Sequence, residues 1–222
     1  MNRILPILAM LMAAVAAVSC GDDDYYDYGD FRYDMVTYDG CDGDGIAQFS
    51  RIERDDAGVT TLITTNSCNL SASDGQRMLL NYIPEGDAVD GVQQITAKSY
   101  TVAITDSLRA TTRDNILTLA MDSVKLKSIW RTGEYINIYC QVKYTTEARY
   151  LSLIMDYSTW MSDTVHCYLY HDMLDATTYF WRSCYMSFYV GAVWQLSSCK
   201  ALRIHLTDVA YPDVEHYDFT KN

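Results

Sequence analysis

The sequence predicts an all-β chain: an OB-like five-stranded barrel followed by an immunoglobulin-like β-sandwich. Three observations carry that prediction. Short segments of alternating apolar and polar residues recur along the chain, rich in Val, Ile, Thr and Tyr, the residue types that fit a pleated, half-buried surface. Between them stand clusters of Asp, Gly and Ser in turn-forming order. Beyond the first 20 residues, no stretch sustains the 3.6-residue apolar period of a long amphipathic helix, and only 3 prolines interrupt the 222 residues.

The first element is an export signal. Arg3 precedes an apolar run over residues 4–18, too short to span a bilayer, which takes about 20 residues. The run ends in Ala17-Val18-Ser19-Cys20, a small-residue cleavage site followed by Cys, as in bacterial lipoprotein precursors. The ordinary signal peptidase would also accept Ala17-Val18-Ser19; the Cys at the cleavage point and the polar stretch after it favour the lipoprotein reading. Residues 1–19 are thus the signal peptide and Cys20 the lipidation site, tying the chain to a membrane. Each buried methylene contributes about 0.8 kcal/mol, so two or more acyl chains hold durably.

Residues 20–33 read as an acidic tether. Between Gly21 and Asp30 it carries five carboxylates and no cation, a composition that stays extended and solvated. An acidic run just after the lipidated Cys resembles the surface-export signal of some Gram-negative outer-membrane lipoproteins. The expected location is the outer membrane, lipid-anchored and surface-exposed. The formal net charge is −12, and −13 once the signal with its single Arg is removed. A chain this acidic repels nucleic acid and anionic head groups, so no nucleic-acid partner is expected.

The barrel is assigned to residues 34–108, with strands at 34–38, 46–52, 59–65, 77–83 and 95–104. In the last, Tyr100, Val102 and Ile104 alternate onto one face. The separators are Asp39-Gly40 with Asp42-Gly43-Asp44-Gly45, then Asp55-Asp56-Ala57-Gly58, then Ser73-Asp74-Gly75. Five strands in about 70 residues suit a small closed barrel. The polar stretch 105–114 breaks the pattern and reads as part of the interdomain crossing. The sandwich is assigned to residues 109–222, with strands at 123–130, 135–144, 150–157, 164–171, 178–190 and 200–206. In the second of these, Ile136, Ile138, Cys140 and Val142 share one face and Asn137, Tyr139 and Gln141 the other.

In this order of features the chain resembles the NigD-like lipoprotein family. The resemblance rests on the acidic tether after Cys20, the strand Arg77-Met78-Leu79-Leu80-Asn81-Tyr82, and Asp122-Ser123-Val124 leading to Ile129-Trp130-Arg131-Thr132-Gly133-Glu134-Tyr135-Ile136-Asn137-Ile138, with Ile136 where Leu is common. It covers nearly the whole mature chain. It implies an envelope lipoprotein with an N-terminal OB-type domain, a C-terminal β-sandwich and no established enzymatic activity. No catalytic residues carry over.

Candidate chemistry is sparse. Asp39, Asp42 and Asp44 crowd a Gly-rich loop, but an EF-hand counted from Asp39 would put Cys41 and Gly43 at ligand positions and Asp44 where Gly is required; an acidic hairpin turn is the simpler reading. His166 and His171 differ by an odd number and face opposite sides of a strand, so no metal site is assigned. No Ser lies in a Gly-x-Ser-x-Gly elbow, and the chain is not read as an enzyme or as holding a cofactor. Besides Cys20, six cysteines remain. Cys41 follows the first barrel strand and Cys68 the third, so both fall at one end of a meander, a candidate disulfide in an oxidising compartment. Cys140, Cys167 and Cys184 align with apolar neighbours and read as core filling.

The aromatics are the best functional signal. Tyr179, Trp181, Tyr185 and Tyr189 alternate onto one strand face, and Tyr168 and Tyr170 oppose the apolar residues of theirs. Such rings bring large contact area at low entropic cost; they form either a binding face or contacts with the barrel and the sandwich edges. The expected function is a non-catalytic surface binding or adhesion module for a glycan or a protein, the alternative a structural or accessory subunit of an envelope complex.

Overall fold

The first five strands close into a barrel in the computed structural model, which describes residues 30–53, 58–68, 70–145, 150–174 and 177–221. The signal peptide, Cys20, the tether as far as residue 29 and the turn at Asp55-Asp56-Ala57 lie outside the described residues. The strands are β1 (Arg32–Cys41), β2 (Ala47–Ile52), β3 (Val59–Thr64), β4 (Arg77–Pro84) and β5 (Val92–Val102). Their order is β1-β2-β3-β5-β4, with β4 pairing back to β1. Only β3 and β5 run parallel, the OB-type arrangement that the sequence predicts. Alternation supplies the filling: Val36, Tyr38, Phe49, Leu62, Met78, Leu80, Tyr82 and Ile95 all point inward and are buried. A bulge in β1 at Gly40, whose φ of 121° favours glycine, bends the strand toward its hairpin. There the Asp42 carboxylate accepts from the backbone N–H groups of Asp44 and Ile46, so this acidic loop is a hydrogen-bonded turn.

β1 begins at Arg32, where Arg32 and Tyr33 pair with Tyr82 and Asn81; the last two residues of the expected tether are therefore strand. Phe31–Asn222 form one compact unit.

Among the described residues, nine strands build the sandwich. One sheet has the order β14 (His216–Thr220), β13 (Ala201–His205), β11 (Thr164–His171), β10 (Leu151–Asp156), β7 (Arg109–Thr111). The other runs β6 (Ile104–Ser107), β12 (Trp181–Tyr189), β9 (Tyr135–Lys143), β8 (Lys125–Thr132). Their inner faces share one core, in which Ile136, Ile138, Met186 and Phe188 meet Leu153, Val165, Leu202 and Ile204.

Residues 105–114, expected as crossing, instead hold β6, β7 and a one-turn helix α1 (Arg113–Ile116). Ile104 correspondingly leaves the barrel strand and opens β6. The two short strands pair parallel with β12 and β10, one at an edge of each sheet. Leu108 between them donates its N–H to the Tyr189 carbonyl and packs into the core. Edge strands of three or four residues bury little, so they need no apolar alternation to form. β14, also unforeseen, pairs with β13 at the other edge and packs Tyr217 and Phe219 on the core.

Candidate binding cleft at the barrel–sandwich junction

The barrel rests on the outer face of the four-stranded sheet. Along that face the pairs Tyr135–Tyr189, Asn137–Ser187, Tyr139–Tyr185, Gln141–Ser183 and Lys143–Trp181 form successive rungs of β9 and β12. The contact is built on Arg77 of β4, which is fully buried. Its Nε donates to Ser187 Oγ at 3.1 Å, and its terminal nitrogens reach Thr37 Oγ1 at 3.0 Å, the Met35 carbonyl at 3.4 Å and Asn137 Oδ1 at 3.5 Å. The guanidinium lies 4.3 Å from the Tyr135 ring centroid. Burial lowers its pKa to about 10, still charged at neutral pH. Asn137 in turn donates to Thr132 Oγ1 and accepts from Ser187. The two strand motifs that carry the family resemblance thus meet at one polar knot between barrel and sandwich, whose charge is solvated by hydrogen bonds and a ring face. Gly133, at φ 54°, sits where a Cβ would stand 3.0 Å from Ile52 of the barrel, so the tight β8–β9 turn also serves close approach.

One rung beyond this knot the interface opens into a cleft of about 620 Å³. Its sandwich wall is Tyr139, Tyr185, Trp130, Ser128, Arg131 and Thr132; its barrel wall is Tyr33, Asp34, Met35, Arg51, Ile52 and Leu79. Tyr139 and Tyr185 are stacked, with centroids 4.4 Å apart and planes 9° from parallel. Opposite them a polar chain is held rigid. Tyr82 Oη donates to Asp34 at 2.7 Å, Arg51 donates to Tyr82 Oη at 2.9 Å and to Glu53 at 2.6 Å, and Thr60 donates to Glu53 at 2.7 Å. Burial and the Asp34 carboxylate push the Tyr82 hydroxyl up to about 12, so it stays a donor. The Thr60 hydroxyl and the Arg51 guanidinium keep Glu53 below the usual carboxylate range against its burial. Arg51 Nε is buried without a hydrogen-bond partner among the described residues.

The aromatic residues expected as one binding face occupy separate places. Tyr185 lines the cleft. Tyr189 packs edge-on against Tyr135 at the knot, centroids 5.4 Å apart. Trp181, farther along the same face, receives the Lys125 ammonium 4.2 Å from its centroid. Tyr179 is 62% exposed and contacts Tyr144. Tyr168 and Tyr170 lie on the outer face of the five-stranded sheet, across the sandwich. Tyr168 stacks on His205 at 4.4 Å and accepts from Arg113 at 3.0 Å, while Tyr170 donates to Asp172.

His166 and His171 do part, His171 into the core, but His166 meets residues unforeseen beside it. His166 Nδ1 is 3.0 Å from His205 Nε2, and the His205 and His216 rings are 5.7 Å apart. Burial first, then His166, His216 and Arg203, lowers the His205 pKa to about 4. Among the described residues no group of three His, Cys, Asp or Glu is arranged to hold a metal ion. Cys41, exposed, and Cys68, half-buried, come to one end of the barrel as thiols; burial first, and also Cys41, push the Cys68 thiol up.

Sequence reasoning missed Trp130, Arg51, Asp34 and Tyr33 as cleft residues. The outward parity of Tyr139 and Asn137 on β9 was the available signal.

The family model for the NigD-like C-terminal beta sandwich domain matches residues 107–220. Among solved structures, the fold is similar to that of a Bacteroides vulgatus protein of unknown function, at 16% identity and TM-score 0.66, covering 86% of this chain and 90% of that one. It is also similar to a NigD-like immunity protein from Bacteroides caccae, at 17% identity and TM-score 0.59, covering 89% and 100%. A third is a Bacteroides fragilis protein described as a candidate lipoprotein, at 11% identity and TM-score 0.57, covering 86% and 96%. At these identities the likeness shows the fold alone. A search of functionally curated proteins finds no match.

Proposed function

The chain belongs to the NigD-like family, and from that premise we propose that it is a non-catalytic, lipid-anchored binding module of the outer-membrane surface whose junction cleft takes a glycan. The observation that carries this reading is the stacked Tyr139–Tyr185 pair facing the Asp34–Tyr82–Arg51 chain across about 620 Å³. Sugar rings offer apolar C–H faces that lie on aromatic rings, and hydroxyls that need donors and acceptors held in place. The cleft supplies the rings on one wall, and on the other a carboxylate acceptor and guanidinium donors already fixed by their own hydrogen bonds. Among the described residues its lining contains one carboxylate, Asp34, whereas glycoside cleavage uses two. The anchor rests on Ala17-Val18-Ser19-Cys20 and the acidic run behind it.

A second reading, docking to a protein of an envelope complex, draws on a different place. Tyr144 stacks on Phe180 at 5.1 Å, and Phe180 and Tyr179 are 60% and 62% exposed, more apolar ring surface than an isolated sandwich edge requires.

Titration of the signal-free chain with a glycan panel, read by Trp and Tyr fluorescence, separates the two. Saturable binding that Trp130→Ala weakens supports the cleft reading. A panel without binding, together with a stoichiometric crosslink through Phe180 in intact cells, replaces it with the second.

A further inference from the structure

Behind the cleft wall, on the inner face of the four-stranded sheet, lie two thiols that the cleft does not use. Cys140 of β9 and Cys184 of β12 are direct partners in the antiparallel register. Both point into the sandwich core, Cys140 buried and Cys184 partly so. At the two ends of the ladder, the Val190 N–H bonds the Glu134 carbonyl and the Tyr144 N–H bonds the Phe180 carbonyl. Every second pair is therefore hydrogen-bonded, Cys140–Cys184 included. In such a pair the Cα atoms stand about 5.5 Å apart, where disulfides are most frequent, at about 5.5–6 Å. The Cβ atoms of cross-strand partners lie about 4.5–5.5 Å apart, toward the longer end in a hydrogen-bonded pair, and must close by more than about 1 Å to about 4 Å. Cys184 lines a second opening of about 360 Å³ beside Val142 and Leu151, which gives the side chain space to move and a reagent a way in. The other described cysteines belong elsewhere: Cys41 and Cys68 to the barrel, Cys167 to the facing sheet, and Cys199 to the turn before β13.

We propose that Cys140 and Cys184 close into a cross-strand disulfide on contact with a disulfide-bearing oxidant. The Cys184 thiolate attacks one sulfur of the oxidant's disulfide and forms a mixed disulfide, expelling the other sulfur as a thiolate. The Cys140 thiolate then displaces the oxidant's remaining sulfur. Two protons and two electrons leave the pair, and the oxidant's disulfide becomes two thiols. Burial, and then the neighbouring Cys184, hold the Cys140 thiol far above the ordinary range, so the more accessible Cys184 acts first. The bridge spans the rung next to Tyr139–Tyr185 and fixes the register under the stacked rings. In the cell its closure rests on the export reading, which supplies the oxidising compartment.

The full chain, reduced and then equilibrated with oxidised glutathione, is alkylated, digested and mapped by mass spectrometry. The expected result is one linked peptide pair, Cys140 to Cys184, two hydrogens lighter than the thiols, reopened by reduced glutathione and absent in Cys184→Ala. Alkylation of both cysteines after oxidation, or linkage of either to another cysteine, overturns the proposal. A second arm traps thiols in living cells with iodoacetamide and follows a labelled fatty acid on Cys20. The link in lipidated chains supports both readings. A link in the purified chain but thiols in unlipidated cellular chains overturns export and leaves the pair standing. Thiols in lipidated chains overturn closure in the cell.

Discussion

Asn137–Ser187 and Tyr139–Tyr185 are neighbouring rungs of one sheet face, yet one is sealed and the other open. At the first, a buried guanidinium has its hydrogen bonds filled by Ser187, Thr37, Met35 and Asn137. At the second, two rings stack on each other rather than on the barrel, and opposite them Arg51 Nε has no partner among the described residues. The knot closes because every buried polar group finds a partner; a buried polar group left without one costs about 1–3 kcal/mol. The cleft presents two stacked rings, a carboxylate and a guanidinium on its walls, the mix of apolar and polar groups that a ligand site requires. The contrast teaches that the motif residues Arg77 and Asn137 hold the two halves together, and that the recognition surface is the adjoining face.

The largest effect expected is on the sealed rung. Arg77→Ala leaves Ser187 and Asn137 buried without their charged donor and opens a void, a loss of about 3 kcal/mol in urea unfolding. A cost under about 0.5 kcal/mol would dissolve the distinction between the rungs. Next comes the open rung. Tyr185→Ala should weaken glycan binding about 30-fold, or about 2 kcal/mol, measured by titration calorimetry, while stability changes by less than half as much. A reversed pattern, with stability lost and binding kept, would make Tyr185 structural. Gly133→Ala places a Cβ against Ile52 at positive φ and should cost about 1–2 kcal/mol, read by thermal melting; an unchanged melt would remove close approach from the account of the junction.

The smallest effect lies on the far sheet and serves as a control. His205 holds its pKa near 4, against about 6.5 when unfolded. The groups around it are His166, His216, Arg203, Tyr168 and, through His216, Asp218. Between those two values the unfolded chain takes up a proton that the folded chain refuses. Stability is thus unaffected by this group above about pH 6.5, falls as pH drops toward 4, and loses nothing more below. His205→Asn should flatten that slope in melts between pH 7 and 4.5 and leave glycan affinity at pH 7 unchanged; a change in affinity would tie the two faces together.

Most strands were legible because their signal is local. β11 alternates half-buried and buried residues throughout its eight positions, and the sequence shows that alternation without help. β6 and β7 were not, since edge strands of three or four residues bury little and leave no period to read; β14 was missed although Tyr217 and Phe219 alternate onto the core. The cleft was legible only in Tyr185. Trp130 and Tyr139 lie on strands that were foreseen, and Arg51 and Asp34 on strands of the other domain, so no spacing in the chain links them.

By itself the sequence determined the β character, the barrel-then-sandwich order and the NigD-like motifs, because alternation and turn chemistry are written over a few adjacent residues. Only the tertiary structure decided that Arg77 of β4 would meet Asn137 and Ser187, that Cys140 would face Cys184, and that the rings expected as one face would be divided between two sheets. Those outcomes depend on which strand pairs with which and in what register, contacts that join residues up to 110 positions apart; they follow from how whole layers stack, which no local pattern encodes.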